Sequence, residues 1–211
     1  TQNQAFSALL LLCREVLGVN LTDMGRNVRA KRGRRIPVVL SVDEVSVLLD
    51  ELQPRHRLMI ELLYGAGLRL MELLRLRVKD IDFGNGVLVV RRGKGDRDRT
   101  TVLPHSLVEP LRVHLETVKE IHEADLLEGH GEVYLPGALV RKYPNTAYEW
   151  QWQWVFPTQN LSVDPRTKRV RRHHLQPRYV QKAMKQAVKQ AGLVKHVSVH
   201  TLRHSFATHL L

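Results

Sequence analysis

Four side chains have types and spacings that suit phosphate chemistry: His200 and Arg203 late in the chain, and Arg69 and Lys94 far upstream. His200 and Arg203 fall in His200-Thr201-Leu202-Arg203-His204-Ser205-Phe206-Ala207-Thr208-His209-Leu210-Leu211. Leu202, Phe206 and Leu210 give this run the apolar stripe of a helix. Residues three apart share a helix face, so an imidazole and a guanidinium stand side by side and can hold an oxyanion such as a phosphate. Arg69 follows Gly65-Ala66-Gly67 and precedes Glu72 by three. The glycines permit a tight turn and close approach of another part of the chain to the helix start. Lys94 is flanked by Gly93 and Gly95 at a turn, from which a side chain can reach into a groove. Taken singly, each has an ordinary reading: a solvated helix face, a surface Arg69–Glu72 ion pair, a solvated lysine.

The elements that must position these residues are legible in outline. Gln4 to Leu17 has helical periodicity, ended by Gly18 and Asn20. Arg26 to Arg35 has no acidic residue and includes Arg32, Arg34 and Arg35. It reads as a cationic linker able to follow a phosphate backbone, or as a plain spacer. Ser41-Val42-Asp43-Glu44 fits a capping box, and the helix it opens is expected to reach Leu52 and stop at Pro54. A further apolar helix runs from Arg57 to Tyr64, and another begins at Leu70. From Val78 the period becomes two. Ile81-Asp82-Phe83, the turn Gly84-Asn85-Gly86, Val87 to Val90 and then Arg99 to Leu103 predict a small antiparallel sheet. Leu107, Leu111, Leu115 and Val118 mark a helix, and Pro177 starts another that Gly192 caps near Ala191.

Net charge is +12 over 211 residues, which favours a polyanionic partner: nucleic acid or an anionic membrane surface. The single Cys13 excludes an internal disulfide and suits a reducing, cytoplasmic compartment. The longest apolar run, Ala8 to Cys13, is too short to span a bilayer, and no signal peptide is visible. The region from 129 to 156 is aromatic, with Tyr134, Tyr143, Tyr148, Trp150, Trp152, Trp154 and Phe156, in a chain only 6% aromatic overall. Two readings of it stand: aromatics that stack on unpaired bases, or a strand with the three tryptophans on one face against a core. A second basic block, Arg166 to Lys182, contains Arg171, Arg172 and the pair His173-His174. Adjacent histidines on an extended chain point opposite ways and no Cys or acid lies close in sequence, so a metal site is rejected.

Together, Gly67-Leu68-Arg69-Leu70-Met71-Glu72-Leu73, Gly93-Lys94-Gly95-Asp96 and the His200 to His209 run resemble the tyrosine recombinase (phage integrase) family in content and order. Ala138-Leu139-Val140-Arg141-Lys142-Tyr143-Pro144-Asn145, Glu149-Trp150-Gln151-Trp152-Gln153 and Arg172-His173-His174-Leu175 are similar to its integron integrase branch. The resemblance implies an α+β fold, a mainly helical catalytic domain with a small three-stranded antiparallel sheet. It implies residues 1–19 as the last helix of a DNA-binding domain, 20–36 as a basic linker, and 37–211 as the catalytic domain with an integron-type insertion at about 129–156.

The chemistry so implied is attack by a tyrosine on a DNA phosphodiester, giving a 3′-phosphotyrosyl link and expelling a 5′-hydroxyl. Arg69 and Arg203 would clamp the non-bridging oxygens as charge builds on them. Lys94 would protonate the leaving oxygen. His200 would hydrogen-bond the phosphate or handle the nucleophile's proton, and Glu72 would orient Arg69. No metal or cofactor is expected, since cationic side chains stand in for the metal. Expected DNA contacts are Arg32, Arg34, Arg35, Lys142, Trp152, Arg171, Arg172 and His173.

In the family the nucleophilic tyrosine and a second His or Trp follow the His-x-x-Arg helix. Tyr64, Tyr134, Tyr143, Tyr148 and Tyr179 all precede Arg203 and match no nucleophile motif. The chain is therefore expected to be a piece of a longer protein, unable by itself to form the covalent bond. The expected partners are duplex DNA, folded single-stranded sites with extrahelical bases, and three further copies in a homotetramer on DNA, with no membrane. The competing readings are a non-catalytic DNA-binding protein of the same fold and an RNA-binding or ribosomal protein. The latter does not account for Arg69, Lys94, His200 and Arg203 in one pocket.

Overall fold

A computed structural model describes residues 2–19, 36–91, 97–135 and 137–211. The expectations for Arg32, Arg34, Arg35 and Lys94 lie outside the described residues. The chain divides into two compact units, Thr1–Ile36 and Pro37–Leu211. In the first, helix α1 (Gln2–Leu11) runs on into a π-helical turn, Leu12–Val16, and buries none of its residues.

In the second unit the capping box forms as the sequence predicts. The Ser41 amide donates to Glu44 Oε2 (2.7 Å) and the Glu44 amide to Ser41 Oγ (3.1 Å), which starts α2 (Val42–Asp50). Pro54 does more than end that helix. It occupies the first turn of α3 (Pro54–Gly65), where its missing N–H costs nothing. A turn through Gly67 leads to the short α4 (Leu70–Leu74) and a 3₁₀ turn, Val78–Asp80.

Strands β1 (Ile81–Asp82), β2 (Val87–Val90) and β3 (Arg99–Val102) form the antiparallel sheet in that order. Leu88 faces Ile81 and Thr101, and Val90 faces Arg99. Then follow the long α5 (Val108–Leu127), the short α6 (Gly137–Lys142), a two-stranded ribbon of β4 (Ser162–Val163) and β5 (Val170–Arg171), α7 (Pro177–Gln190) and α8 (Val199–His209). The fold is α+β, mainly helical with a small sheet.

The main core joins α2, α3, α4, α5, α7 and α8 through Leu48, Met59, Leu62, Leu63, Leu73, Leu111, Val180 and Leu202, with Leu88 from the sheet. Each fully buried side chain of this kind stabilises the fold by about 1.5–3 kcal/mol relative to exposure. A second, smaller core gathers Val133, Leu135, Ala147 and Trp154.

The strand expected to carry three tryptophans on one face does not form. Residues 150–152 make a 3₁₀ turn. Trp150 packs on the main core, whereas Trp152 packs on the small one and Trp154 lies within it. The polar residues between them explain this. The buried Gln153 side-chain amide donates to the carbonyls of Gly131, Ala147 and Glu149, a looped arrangement that a straight strand cannot offer.

Candidate active site

Gly67 has φ +57°, a conformation that costs glycine little and other residues more. A Cβ there would meet Phe206 Cδ1 at 2.4 Å, so the ring of α8 rests directly on the turn. The Gly67 carbonyl accepts a hydrogen bond from Arg203 Nη1, also on α8. The turn thus delivers Arg69 to the start of α4 and, in the same contact, fixes the helix that carries Arg203.

Helix α8 is pinned elsewhere too. Ser205 Oγ, fully buried, accepts from the Leu40 amide (2.9 Å) and donates to the Thr201 carbonyl (3.0 Å). Tyr64 Oη and His209 Nδ1 are 2.7 Å apart.

Glu72 is the hub. Its side chain is only 7% exposed. Oε1 accepts from Arg69 Nη1 (2.7 Å), and Oε2 from the Arg69 amide (2.8 Å) and from Arg99 Nη2 (2.7 Å). Arg203 Nη1 stands 3.7 Å from Oε2, an ion pair without a hydrogen bond. Burial pushes the Glu72 carboxyl up, but the Arg69 amide and guanidinium and the Arg99 charge outweigh it, and the carboxyl is held below its ordinary value. One ionised carboxylate therefore gathers three guanidiniums, and two positive charges remain in excess. Arg69 and Arg203 keep 35% and 30% of their side-chain surfaces open, enough to meet a ligand. Such a surplus of fixed donors suits a phosphate whose charge increases during reaction.

His200 is exposed on the first turn of α8, its ring edge-on to His204 with centroids 5.2 Å apart. Partial burial, then the charges of His204, Arg203 and Arg69, hold its imidazole below the ordinary value, which favours the neutral form. It can then give or take one proton. The structure thus brings Arg69, Glu72, Arg203 and His200 together. The sequence reading missed Arg99. Its signal was the two-residue period of β3: Arg99 and Thr101 share a face, and Thr101 Oγ1 donates to the Ala66 carbonyl (2.8 Å) on the same glycine turn.

The residues expected to touch DNA are placed differently from one another. Arg171 is 4% exposed, 3.4 Å from Glu132 and 3.6 Å from Asp164. Arg172 makes a two-pronged pair with Asp125 (2.6 and 2.7 Å) and also donates to the Thr158 carbonyl. Both are turned to carboxylates inside the fold, not presented outward. The basic block has no acid nearby in sequence, but folding supplies Asp125, which needs a cation to be buried. Lys142 is exposed at the end of α6, its Nζ 5.3 Å from the Tyr143 ring.

His173 stacks on Trp154, and Trp152 carries Lys79 Nζ 2.8 Å from its ring centroid. Arg77 lies 3.9 Å from the Trp154 ring centroid and donates to the carbonyls of Trp152 and Tyr134. These residues line a cleft of about 870 Å³ together with Arg75, Arg91, Tyr134, Arg166 and His174. Burial, then the neighbouring Arg91 charge, pushes Lys79 down to about 8, and burial lowers Arg77 to about 10.

A mainly helical domain with a small sheet thus carries a carboxylate-centred arginine cluster, and known proteins place the chain in a family. Residues 38–211 match the phage integrase family, and the chain belongs to that family. It is 47% identical over all 211 residues to an integrase/recombinase of Escherichia coli, of which it spans 63%. It is 34% identical over 181 residues, 84% of this chain and 50% of the relative, to the tyrosine recombinase XerA of Thermococcus kodakarensis. Among solved structures, a XerA recombinase crystal structure aligns over 99% of this chain and 61% of that one, with a TM-score of 0.54 and 25% identity. The chain thus spans about half to two thirds of the length of these relatives.

Proposed function

We propose that the protein is a site-specific DNA recombinase of the integron integrase kind, which cuts and rejoins DNA through a 3′-phosphotyrosyl intermediate. The observation that carries this is the convergence of Arg69 and Arg203 on Glu72, with His200 one turn before Arg203 on α8 and within reach of both arginine charges. In this reading the two guanidiniums bind the non-bridging oxygens of one phosphate and strengthen their hold as the five-coordinate state forms. Glu72 orients Arg69. His200, with its neutral form favoured, bonds the phosphate or takes the nucleophile's proton.

Lys94 is the general acid for the leaving 5′ oxygen, on the connection between Val90 and Arg99. The nucleophile is a tyrosine beyond the 211 residues, so these residues alone form no covalent link. Residues 1–19 close a DNA-binding domain, and 20–36, with Arg32, Arg34 and Arg35, are a linker that tracks the DNA backbone.

The integron assignment is favoured by the motifs around Lys142, Trp152 and His173 and by the aromatic, cationic cleft beside them. An unpaired base of a folded single strand suits a cleft lined by aromatic rings and cations, in which it would compete with Lys79 for the Trp152 face. The partners are then duplex and folded single-stranded sites, engaged by a homotetramer in the cytoplasm.

The test uses the complete gene product and a nicked, end-labelled site. A covalent, protease-sensitive DNA adduct should accumulate, and Arg203→Ala should remove it while DNA binding persists. Binding without any adduct from the unaltered protein would instead identify a DNA-binding protein that kept the fold and not the reaction.

A further inference from the structure

The Glu72 carboxylate is contested by three arginines, and the geometry shows how the contest is resolved. An ionised carboxylate oxygen offers about two lone-pair directions. On Oε2 both are taken, one by the Arg69 amide at 2.8 Å and one by Arg99 Nη2 at 2.7 Å. Arg203 Nη1 is held off at 3.7 Å and donates instead to the Gly67 carbonyl. A shift of under 1 Å would turn that ion pair into a direct charge-assisted hydrogen bond, normally about 2.7–2.9 Å long. The lone pair it would need is held by the Arg99 guanidinium.

Arg99 is well placed for this. It is the first residue of β3, fixed across the ladder from Val90. Its neighbour on the same face, Thr101, is tied to the glycine turn by a hydrogen bond to Ala66. Its approach to Glu72 is therefore set by the sheet, not by side-chain preference alone.

We infer that Arg99 is a positioning residue that blocks Glu72 Oε2, so that Arg203 stays free to bind the substrate phosphate. The inference rests on reading the cluster as a phosphate clamp. Without Arg99, Arg203 falls onto the carboxylate and its donors are spent inside the protein. A lysine at this position keeps the charge and can occupy one lone pair, so Arg99→Lys should restore most of what Arg99→Ala removes.

Two measurements separate this inference from the proposed reaction. The first needs no catalysis. In a crystal structure of Arg99→Ala, Arg203 should lie within about 3.2 Å of Glu72 Oε2, and in Arg99→Lys it should remain near its present place. An Arg203 that keeps its position in Arg99→Ala overturns the inference, whatever the enzyme does. The second is kinetic, in the complete gene product. Removing a transition-state donor outright typically costs about 10²–10³ in rate. Arg99→Ala, which misdirects the donor, should slow adduct formation by roughly tenfold, with site affinity changed less than rate.

On a site with a methylphosphonate in place of the scissile phosphate, one charged oxygen is gone and the misdirected guanidinium matters less. The Arg99→Ala penalty should there shrink to about twofold. An equal penalty on both substrates would mean that Arg99 only holds the sheet in place, and the inference fails. If the unaltered protein forms no adduct on the phosphodiester, the proposed reaction fails, and the crystallographic result alone decides the role of Arg99.

Discussion

The glycine-turn cluster and the aromatic cleft both bring cations onto a shared partner, yet they do so by opposite means. Around Glu72, two guanidiniums are held to one carboxylate by hydrogen bonds of 2.7 Å and a third by an ion pair at 3.7 Å. The lesson there is charge density under tight geometric control. In the cleft, Arg77 and Lys79 lie over the faces of Trp154 and Trp152, and the rings themselves are anchored in a small separate core. Ring faces are tolerant of position, and each cation–π contact contributes about 0.5–2 kcal/mol. On the proposed function, the first would be a site for chemistry and the second a site for recognition: one fixes donors, the other offers adaptable surfaces.

The contrast can be broken at several points. The largest effect is expected on stability at Trp154. Truncation to alanine should cost about 3–5 kcal/mol by chemical denaturation, because the ring is the largest side chain buried in the small core. A loss below about 1 kcal/mol would mean that the cleft does not depend on that core. Next comes Arg203→Ala, which should slow adduct formation by about 10²–10³ while costing at most about 1.5–3 kcal/mol of global stability through its lost bond to the Gly67 carbonyl. Loss of duplex binding in that variant would assign Arg203 to affinity, not to the transition state.

Trp152 is less buried, so Trp152→Ala should leave the fold intact and lower recombination of folded single-stranded sites by roughly tenfold, as loss of one base stack would. Duplex sites should be nearly unaffected. Equal losses on both would place Trp152 with Trp154 as a packing residue.

The smallest effect is a pH dependence. Lys79 titrates at about 8 in the fold against an ordinary value of 10.5. A lysine with a lowered folded value penalises the fold wherever it is charged. The penalty is complete below about pH 8 and vanishes as pH approaches 10.5. Lys79→Met should therefore be slightly more stable than the unaltered protein at pH 7, and the two should converge by pH 10. DNA phosphates in the cleft would draw the lysine back towards its ordinary value, so DNA binding near pH 9 should take up protons, measurable by calorimetry in buffers of different ionisation enthalpy.

How much of this could be read in advance follows the same division. The glycine turn, Arg69 with Glu72, and His200 with Arg203 were legible because each is a local pattern: a turn signal, a three-residue spacing, an apolar stripe. Arg99 was not, since its role depends on which strand lies beside α4, a fact held in long-range pairing. Arg171 and Arg172 show the converse, since their ion pairs could not be read. Their neighbours in sequence carry no acid, and only folding brings Asp125, Glu132 and Asp164 to them. The tryptophans alternate as a strand would, but Gln153, buried between them, needed carbonyl partners that only a looped path supplies.

Gly67 has no room for a single extra carbon under the Phe206 ring, and its carbonyl is held by a guanidinium 136 positions further along the chain. The backbone of the glycine turn and the helix that carries Arg203 are thus coupled, so a bulkier residue at position 67 would have to displace α8 and Arg203 with it.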